Sequence, residues 1–536
     1  MRDGDKKADQ EVRPTSSGRH AFLVGAGILL SRIMGLVRQY VFSHYFGLRS
    51  DAADAFNQAF RIPNFLQNLF GEGVLSASFI PVYSRLLAEG DEEEAGRVAG
   101  AVAAILALVA SALVLLGVLA TPIFIDVIAR GFHGVKRELT IRIVRILFPG
   151  AGLLVMSAWC LGILNSHRKF FLSYTAPVMW NFAMIGALVF FGGRLPESSL
   201  AIALAWASVA GSALQFGVQA PYVLRLARRL RVRLDTRSES VREVIRNFVP
   251  VFISRGVVQI SAFVDAMLAG LLPYTGAVTG LANAQTLYTL PVSLFGMSVS
   301  AAELPAMSSA LGDQADVAAQ LRRRLNAGLR QIAFFIVPSA MAFLALGDVV
   351  AGFVFQSGKF EHEDALYVWG VLAGSAVGLL ASTLGRLYSS TYYALRDTRT
   401  PLRFAVIRVA LTTALGYVCA LWLPGWLGID RRWGVAGLTA SAGVAGWVEF
   451  TLLRRALNWR IGPTGLPAKL VASLWASAGV AAAAGWAIKL ALGPHKPQLV
   501  GLAVLCPYGA IYFAMTYLLR IEESARVLAR IARFRR

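Results

Sequence analysis

Residues 98–121 read VAGAVAAILALVASALVLLGVLAT, a run without a charged side chain that is long enough to cross a bilayer as one helix. Comparable runs recur along nearly the whole chain of 536 residues, of which 56% are hydrophobic and only 15% are charged. Soluble proteins carry about a quarter charged residues, so the composition excludes a string of soluble domains. The sequence therefore predicts an all-α polytopic membrane protein.

Windows of about 20 residues give about 14 transmembrane helices. The predicted spans lie near 21–46, 54–83, 98–121, 141–164, 172–192, 199–223, 247–272, 278–309, 327–346, 365–393, 402–423, 434–453, 468–492 and 498–519. The first, second, seventh, eighth and tenth spans are longer or more polar than the others. Such spans are typical of helices that face protein or a water-filled cavity.

The formal net charge of +21 arises from 52 Lys and Arg residues against 31 Asp and Glu residues. If both termini lie in the cytoplasm, the inner segments hold about 33 basic residues and the outer segments about 9. This asymmetry predicts a multi-pass protein of the cytoplasmic (inner) membrane with both termini cytoplasmic. Basic residues spread over alternating loops form no single face for nucleic acid, although anionic membrane lipids can contact them.

The spans divide the chain into six parts. They are a cytoplasmic N-terminal tail (1–20), a six-helix N-lobe (21–224), a basic cytoplasmic loop (225–246), a six-helix C-lobe (247–456), two further helices (457–520) and a basic cytoplasmic tail (521–536).

A short internal repeat links the two lobes. The first span opens with Ser31-Arg32 and the seventh with Ser254-Arg255, and the span after each carries a proline, a Leu-Phe-Gly segment and a second proline. Six spans separate the copies, so both would have the same orientation in the membrane. A parallel repeat of this kind is typical of transporters that move two lobes about a central site.

Charged residues inside spans are informative, since each costs about 2.5–3.5 kcal/mol on insertion scales unless it faces water or a partner. Arg32 and Arg38 lie about 120° apart on the first span with Gly35 between them, Arg61 lies in the second span and Arg255 in the seventh. These arginines predict a cationic cavity between spans one, two, seven and eight that binds an anionic group, and guanidinium suits phosphate. The alternative is that they snorkel to the interface or form ion pairs within the bundle.

Four acidic residues occupy the same spans, namely Asp54, Glu72, Asp265 and Glu303. They are candidates for gating or coupling-ion sites, and pairing with an arginine of a lobe is the alternative. In the later spans, Arg386 is a candidate wall residue of a groove in the second lobe. Arg408 and Glu449 lie near helix ends, where we expect them to snorkel.

Motifs for catalysis are missing from the sequence. The six histidines show no metal-ligand spacing, and we find no phosphate-cradling loop, nucleophile elbow or nucleotide-binding motif. We therefore expect a protein that is not an enzyme, with no catalytic residue, no metal and no cofactor.

Several short motifs follow one another along the chain: Ser31-Arg-Ile-Met-Gly-Leu-Val-Arg38, Arg61-Ile-Pro-Asn64, Phe70-Gly-Glu-Gly73, Phe355-Gln-Ser-Gly-Lys-Phe360 and Tyr393-Ala-Leu-Arg-Asp-Thr-Arg-Thr-Pro401. Together and in this order they resemble the MurJ (MviN) family of lipid II flippases in the MOP exporter superfamily. The resemblance covers about residues 30–405.

The resemblance implies two six-helix lobes and two C-terminal helices that carry lipid II, an undecaprenyl-diphosphate-linked disaccharide-pentapeptide, from the inner to the outer leaflet by alternating access in cell-wall synthesis. It implies that Arg32 and Arg38 bind the diphosphate and that Ser31, Asp54 and Glu72 fall on functional positions. A groove in the second lobe would take the lipid tail, and transport would depend on membrane potential, Na+ or H+. We expect a monomer, and contacts with cell-wall synthesis enzymes are left open.

The sequence departs from the family at three sites. Gln39 replaces an aspartate, Gln67 or Asn68 replaces an arginine, and Thr286 replaces another arginine. Another polyprenyl-diphosphate-linked glycan is therefore an alternative substrate. A MATE-like antiporter would need an acidic cavity, and an intramembrane glycosyltransferase would need a large outer loop or a carboxylate near the surface. An inactive scaffold for wall-synthesis enzymes is a further alternative.

Overall fold

The computed structural model describes residues 15–300, 303, 307, 314–493 and 495–527. These residues form helices joined by short loops, and the described part contains no β-strand. Ten of the described helices are long and apolar enough to cross a membrane by length and composition. The prediction of an all-α polytopic membrane protein is confirmed, while the exact number of 14 spans stays a prediction.

The N-lobe contains seven described helices, because the predicted second span consists of two. They are α1 (Thr15–Phe46), α2 (Asp51–Phe70), α3 (Glu72–Glu89), α4 (Glu92–Ile128), α5 (Gly134–Ser166), α6 (Phe170–Phe191) and α7 (Glu197–Leu226). Helix α1 begins six residues before the predicted span, within the segment that the sequence assigns to the tail.

The C-lobe begins with α8 (Glu239–Gly270), whose first turns lie within the predicted basic loop. It continues with α9 (Ala277–Pro291) and its π-helical turn (Val292–Met297), α10 (Gln314–Ala345), α11 (Gly347–Phe355), α12 (His362–Ala394), α13 (Arg399–Tyr417) with a second π-helical turn (Val418–Trp422), and α14 (Gly434–Ile461). Two further helices follow, α15 (Ala468–Leu492) and α16 (Pro497–Leu518).

The two copies of the Leu-Phe-Gly segment interrupt regular α-helix in both lobes. In the N-lobe, α2 ends at Phe70 and α3 begins at Glu72, and a Cβ at Gly71 would lie 2.3 Å from the carbonyl oxygen of Gln67. In the C-lobe, the same three residues fall within the π-helical turn Val292–Met297. Because proline removes a helical hydrogen-bond donor, the sequence predicts a helix break at Pro63-Asn64 in the second span. That prediction is wrong, because α2 continues through Pro63 and the chain needs a glycine where the helices meet.

Small residues let the C-lobe helices approach closely. Helix α12 packs along α14, and a Cβ added to Gly378 would lie 2.3 Å from the Cα of Gly443. Membrane helices gain little from the hydrophobic effect against each other, so close van der Waals contact of this kind stabilises their packing.

Proline in α10 creates the site at which α16 binds. Because Pro338 has no backbone N–H, the carbonyl of Phe334 one turn earlier lacks its usual helical donor. The hydroxyl of Tyr512 on α16 donates to that oxygen at 2.6 Å, and the hydroxyl of Tyr508 donates to the carbonyl of Pro338 at 2.6 Å. These two bonds fix α16 to α10, and α15 packs against α10 through contacts of its own.

The two lobes are joined at one end of the bundle, which we call the tied end and define by the loops 47–50, 271–276 and 356–361. Arg49 of the N-lobe bonds to Glu363 at 2.5 Å and to Asp364 at 3.1 Å in the C-lobe. Lys359 of the C-lobe bonds to Glu197 of the N-lobe at 2.5 Å. The tied end therefore holds the two lobes together at one end of the bundle. The lobes are left free to enclose a space between them further along their helices.

Replacement of Tyr512 by phenylalanine tests the anchoring of α16. The change removes one O–H donor at constant shape and leaves the buried carbonyl of Phe334 unpaired, so we expect a loss of about 1–3 kcal/mol in the free energy of unfolding. The measurement is thermal unfolding of the purified protein in detergent. Tyr517→Phe is the matched control, since Tyr517 lies on the same helix and is 56% exposed. Equal midpoints for Tyr512→Phe and wild type would contradict this account.

Candidate anion-binding cavity

A cavity of about 490 Å³ lies between the lobes, with walls from α1, α2, α6, α8 and α9. Four of these helices, α1, α2, α8 and α9, belong to the predicted spans one, two, seven and eight. Each of them contributes polar side chains to the cavity wall. None of the described residues that line it is acidic, and three of them are arginines: Arg32, Arg38 and Arg61.

Arg38 is the central cation of the site. Its guanidinium carbon lies 4.8 Å from the ring centre of Trp180 and 5.6 Å from that of Phe60, and the two rings stack at 5.5 Å. The remaining polar contact is from Nη1 to the sulfur of Met184, at 3.9 Å. Arg38 forms no ion pair with any described residue, so its charge is held by aromatic faces and remains available to an anion.

Trp180 is itself fixed by its neighbour helix. Its indole N–H donates to the backbone carbonyl of Ser208 on α7 at 3.1 Å, which orients the ring beneath the guanidinium. Gly211 on α7 allows this approach, since an added Cβ would lie 3.0 Å from Trp180. Helix α7 therefore positions Arg38 through one intermediate side chain.

Arg32 and Ser31 lie on α1 further from the tied end than Arg38, and both line the cavity. Arg32 is exposed and makes no ion pair among the described residues. Gly35, between the two arginines, has no atom within 4 Å of an added Cβ, so the wall is open at this point. Arg32 and Arg38 therefore line the same cavity.

Arg61 connects the lobes across the cavity. Its guanidinium donates to the side-chain oxygen of Gln285 on α9 at 3.0 Å. A second link runs from the amide of Gln39 on α1 to Asn283 on α9, at 2.7 Å. Neutral amides therefore bridge the lobes beside the arginines.

Sequence reasoning missed most of the polar wall. Besides the arginines, it is formed by Gln39, Asn57, Asn64, Asn68, Asn181, Gln259, Gln285, Thr286 and Thr289. All three positions that depart from the family pattern reach this wall. Gln39 and Thr286 line it, and at the position assigned to Gln67 or Asn68 the residue that lines it is Asn68. The aromatic support of Trp180 and Phe60 was also missed, because aromatic residues in apolar spans give no signal that separates a cavity from a lipid-facing surface.

Asp54 lies at the tied end and away from the cavity arginines. It is 1% exposed and caps α9 of the other lobe, accepting bonds from the backbone N–H of Gly276 at 2.8 Å and of Thr279 at 2.9 Å. The Thr279 hydroxyl donates at 2.7 Å, and Lys136 on α5 supplies the counter-charge at 2.9 Å. A carboxylate at a helix N-terminus is well stabilised, so Asp54 is a strong contact between the lobes.

The other predicted acidic residues are dispersed. Asp265 on α8 is close enough to Arg61 and Arg408 to interact with their charges, and its Oδ1 has no hydrogen-bond partner. Glu303 pairs with Arg324 at 3.5 Å. The side chains of Glu72 and Arg255 lie outside the described residues.

Arg386 lies in the second lobe, where Tyr288, Arg408 and Glu449 are its charged or ionisable neighbours. The expectation that Arg408 and Glu449 snorkel is wrong. Arg408 on α13 pairs with Glu449 on α14 at 3.2 Å, because the packing of these two helices brings the opposite charges together. Within the described residues, no group of three His, Cys, Asp or Glu side chains could hold a metal ion.

Residues 42–505 match the family model described as "Lipid II flippase MurJ". A curated relative from Burkholderia cenocepacia, "Lipid II flippase MurJ", is 30% identical over 82% of this chain and 84% of its own length. The "Probable lipid II flippase MurJ" of Rhizobium meliloti is 28% identical over 92% of each chain.

Two solved structures share the fold. "Lipid II flippase MurJ, inward closed conformation" has a TM-score of 0.77 and 22% identity, covering 93% of this chain and 98% of that one. An inward-facing MATE family transporter of the MOP superfamily has a TM-score of 0.63 and 18% identity, covering 82% of this chain and 98% of that one.

Replacement of Asp54 by alanine tests the inter-lobe cap. The change leaves Lys136 and the first N–H groups of α9 without their buried partner, and we expect a loss of about 3–5 kcal/mol in the free energy of unfolding. Asp51→Ala is the control, since Asp51 contacts the same lysine at 3.0 Å but is exposed, and should cost at most about 1 kcal/mol. Thermal unfolding compares the two, and equal losses would contradict a special role for Asp54.

Proposed function

Because the chain belongs to the lipid II flippase MurJ family, we propose that it moves lipid II from the inner to the outer leaflet of the cytoplasmic membrane by alternating access of the Arg38 cavity. It is a multi-pass inner-membrane transporter. The observation that carries the proposal is the guanidinium of Arg38, which lies between the lobes on an aromatic support with no ion pair among the described residues.

The diphosphate of lipid II is the group that Arg38 and Arg32 bind. A diphosphate offers oxygens to both guanidiniums, and a guanidinium matches phosphate with two parallel hydrogen bonds. Phe60 and Trp180 limit the motion of Arg38, so little side-chain freedom is lost when the anion binds. Ser31 adds a hydroxyl donor beside Arg32.

The amide wall on α2, α8 and α9 provides the contacts for the disaccharide and peptide. Amide side chains donate and accept hydrogen bonds, which suits the hydroxyl and peptide groups of this substrate. Passage to the other side requires the lobes to separate at Arg61–Gln285 and at Gln39–Asn283. A substrate that competes for these amides lowers the cost of that separation.

The tied end is the extracytoplasmic gate, and both termini are cytoplasmic. The excess of basic residues in the opposite loops supports this orientation. Opening the gate breaks the Arg49 and Lys359 ion pairs and withdraws Asp54 from α9.

Coupling to membrane potential, Na+ or H+ would act through Asp265. Its carboxylate lies near Arg61, an N-lobe residue that lines the cavity, and near Arg408 of the C-lobe. Net charge on Asp265 therefore affects both sides of the lobe interface. Arg386, with Tyr288 beside it, borders the groove for the lipid tail.

A MATE-like antiporter is disfavoured despite the shared fold. Such a protein needs carboxylates to bind cationic substrates, whereas the described cavity lining has three arginines and no acidic residue. Another polyprenyl-diphosphate-linked glycan would bind the same arginines, so only a direct comparison of substrates separates it from lipid II.

The test is translocation in proteoliposomes with fluorescent lipid II, and with a polyprenyl-diphosphate glycan of different sugars, with and without an imposed potential. Faster translocation of lipid II supports the proposal. Translocation of the other glycan alone would overturn the substrate assignment, and binding without any translocation would indicate a scaffold.

Arg38→Ala should weaken lipid II binding by about tenfold to a hundredfold, because a charged hydrogen bond contributes about 1.5–3 kcal/mol. Arg38→Lys should recover only part of the affinity, since an ammonium cannot bond in a bidentate manner or stack on Trp180. Binding is measured by titration in detergent, and growth complementation follows in bacteria depleted of their own flippase. Arg403→Ala, at an exposed position on α13, is the control. Full activity of Arg38→Ala would exclude the anion cavity.

A further inference from the structure

A second basic site lies on the outer surface of the N-lobe, separate from the central cavity. A groove of about 590 Å³ follows one stripe of α5, at spacings of three and four residues, and Trp206 of α7 forms its other side. The α5 residues are Glu138, Ile141, Arg142, Arg145, Ile146 and Pro149.

The two arginines of this groove have no partner for their charge in the part of the chain that the structure describes. Arg142 and Arg145 are exposed, and neither forms an ion pair among the described residues. Glu138 is one turn from Arg142, but the structure contains no salt bridge between them. The groove therefore carries a net positive charge over a short distance.

The depth of the arginines in the membrane follows from the sequence of α5. The segment 146–166 has no charged residue and measures about 31 Å at 1.5 Å per residue, close to the thickness of the hydrocarbon core. Arg142 and Arg145 lie just beyond its end nearest the tied end, at the level of the lipid phosphates. Trp206, which is 59% exposed, belongs to the residue type that concentrates at this level.

We propose that this groove binds the phosphate of an anionic glycerophospholipid in the leaflet next to the tied end. Arg142 and Arg145 form hydrogen bonds to the phosphate, and Ile146, Pro149 and Trp206 contact the acyl chains. The assignment of this leaflet as the outer one rests on the orientation proposed above. The existence of the binding site does not depend on that orientation.

The site has a connection to the gate. Helix α5 also carries Lys136, whose ammonium holds the carboxylate of Asp54. A lipid bound to α5 therefore fixes the helix that supplies the counter-charge of the inter-lobe cap. Anionic lipid should stabilise the closed tied end.

The experiment is native mass spectrometry of the whole protein, titrated in detergent with phosphatidylglycerol and, separately, phosphatidylcholine. The variants are Arg142→Gln with Arg145→Gln, and a control pair, Arg130→Gln with Arg194→Gln, whose residues are exposed on the same lobe and outside the groove. We expect wild type to retain one phosphatidylglycerol in preference to phosphatidylcholine. The groove variant should lose about fivefold in affinity for each arginine, and the control pair should keep wild-type affinity.

Three results would overturn the proposal. They are equal retention of both lipids by wild type, equal losses in the groove and control variants, and displacement of bound lipid by millimolar inorganic phosphate, which would identify a site for free phosphate. If the double glutamine variant does not fold, Arg142→Lys with Arg145→Lys takes its place, with partial loss expected. Lipid II translocation is measured in parallel, so failure of the lipid site is distinguishable from failure of the transport function.

Discussion

The exclusion of unpaired charge from hydrocarbon governs this structure. Arg38 lies within the membrane span without an ion pair among the described residues, and such a charge is tolerated only where water or an anion reaches it. The lobes must therefore remain apart around it. The same requirement explains why the arginines of α1 and α2 face the cavity. It also explains why amides rather than aliphatic residues form the remaining wall.

Charge is distributed in two different ways along the lobe interface. At the tied end, carboxylates and cations pair with each other, and Asp54 with Lys136 is the most buried example. In the cavity, Arg32 and Arg38 have no carboxylate partner among the described residues. Paired charges stabilise one arrangement of the lobes, whereas unpaired charges bind a ligand that the membrane otherwise excludes. The same helices thus form an ion-paired contact at the tied end and an anion-binding cavity further along the interface.

Much of this arrangement could be predicted from the sequence, because charges inside apolar spans are rare and each needs a reason. That argument predicts a cavity lined by Arg32, Arg38, Arg61 and Arg255, and the first three line the observed cavity. Trp180 and Phe60 could not be identified, since an aromatic residue fits a lipid-facing surface equally well. The Arg408–Glu449 ion pair could not be predicted from the sequence either, because it depends on how α13 packs on α14. The helix break was expected at Pro63, but a proline can continue a membrane helix, and the chain turns at Gly71 instead.

The anchoring of α16 has a consequence for how movement can be observed. Tyr512 bonds to the Phe334 carbonyl that Pro338 leaves without a helical donor, and Tyr508 bonds to the carbonyl of Pro338 itself, so this helix is attached to the second lobe at fixed points. A fluorophore on the exposed side of α16 will therefore follow the displacement of that lobe. Paired with a second dye on the N-lobe, it would convert each transport cycle into a change in energy transfer, without any label near the substrate.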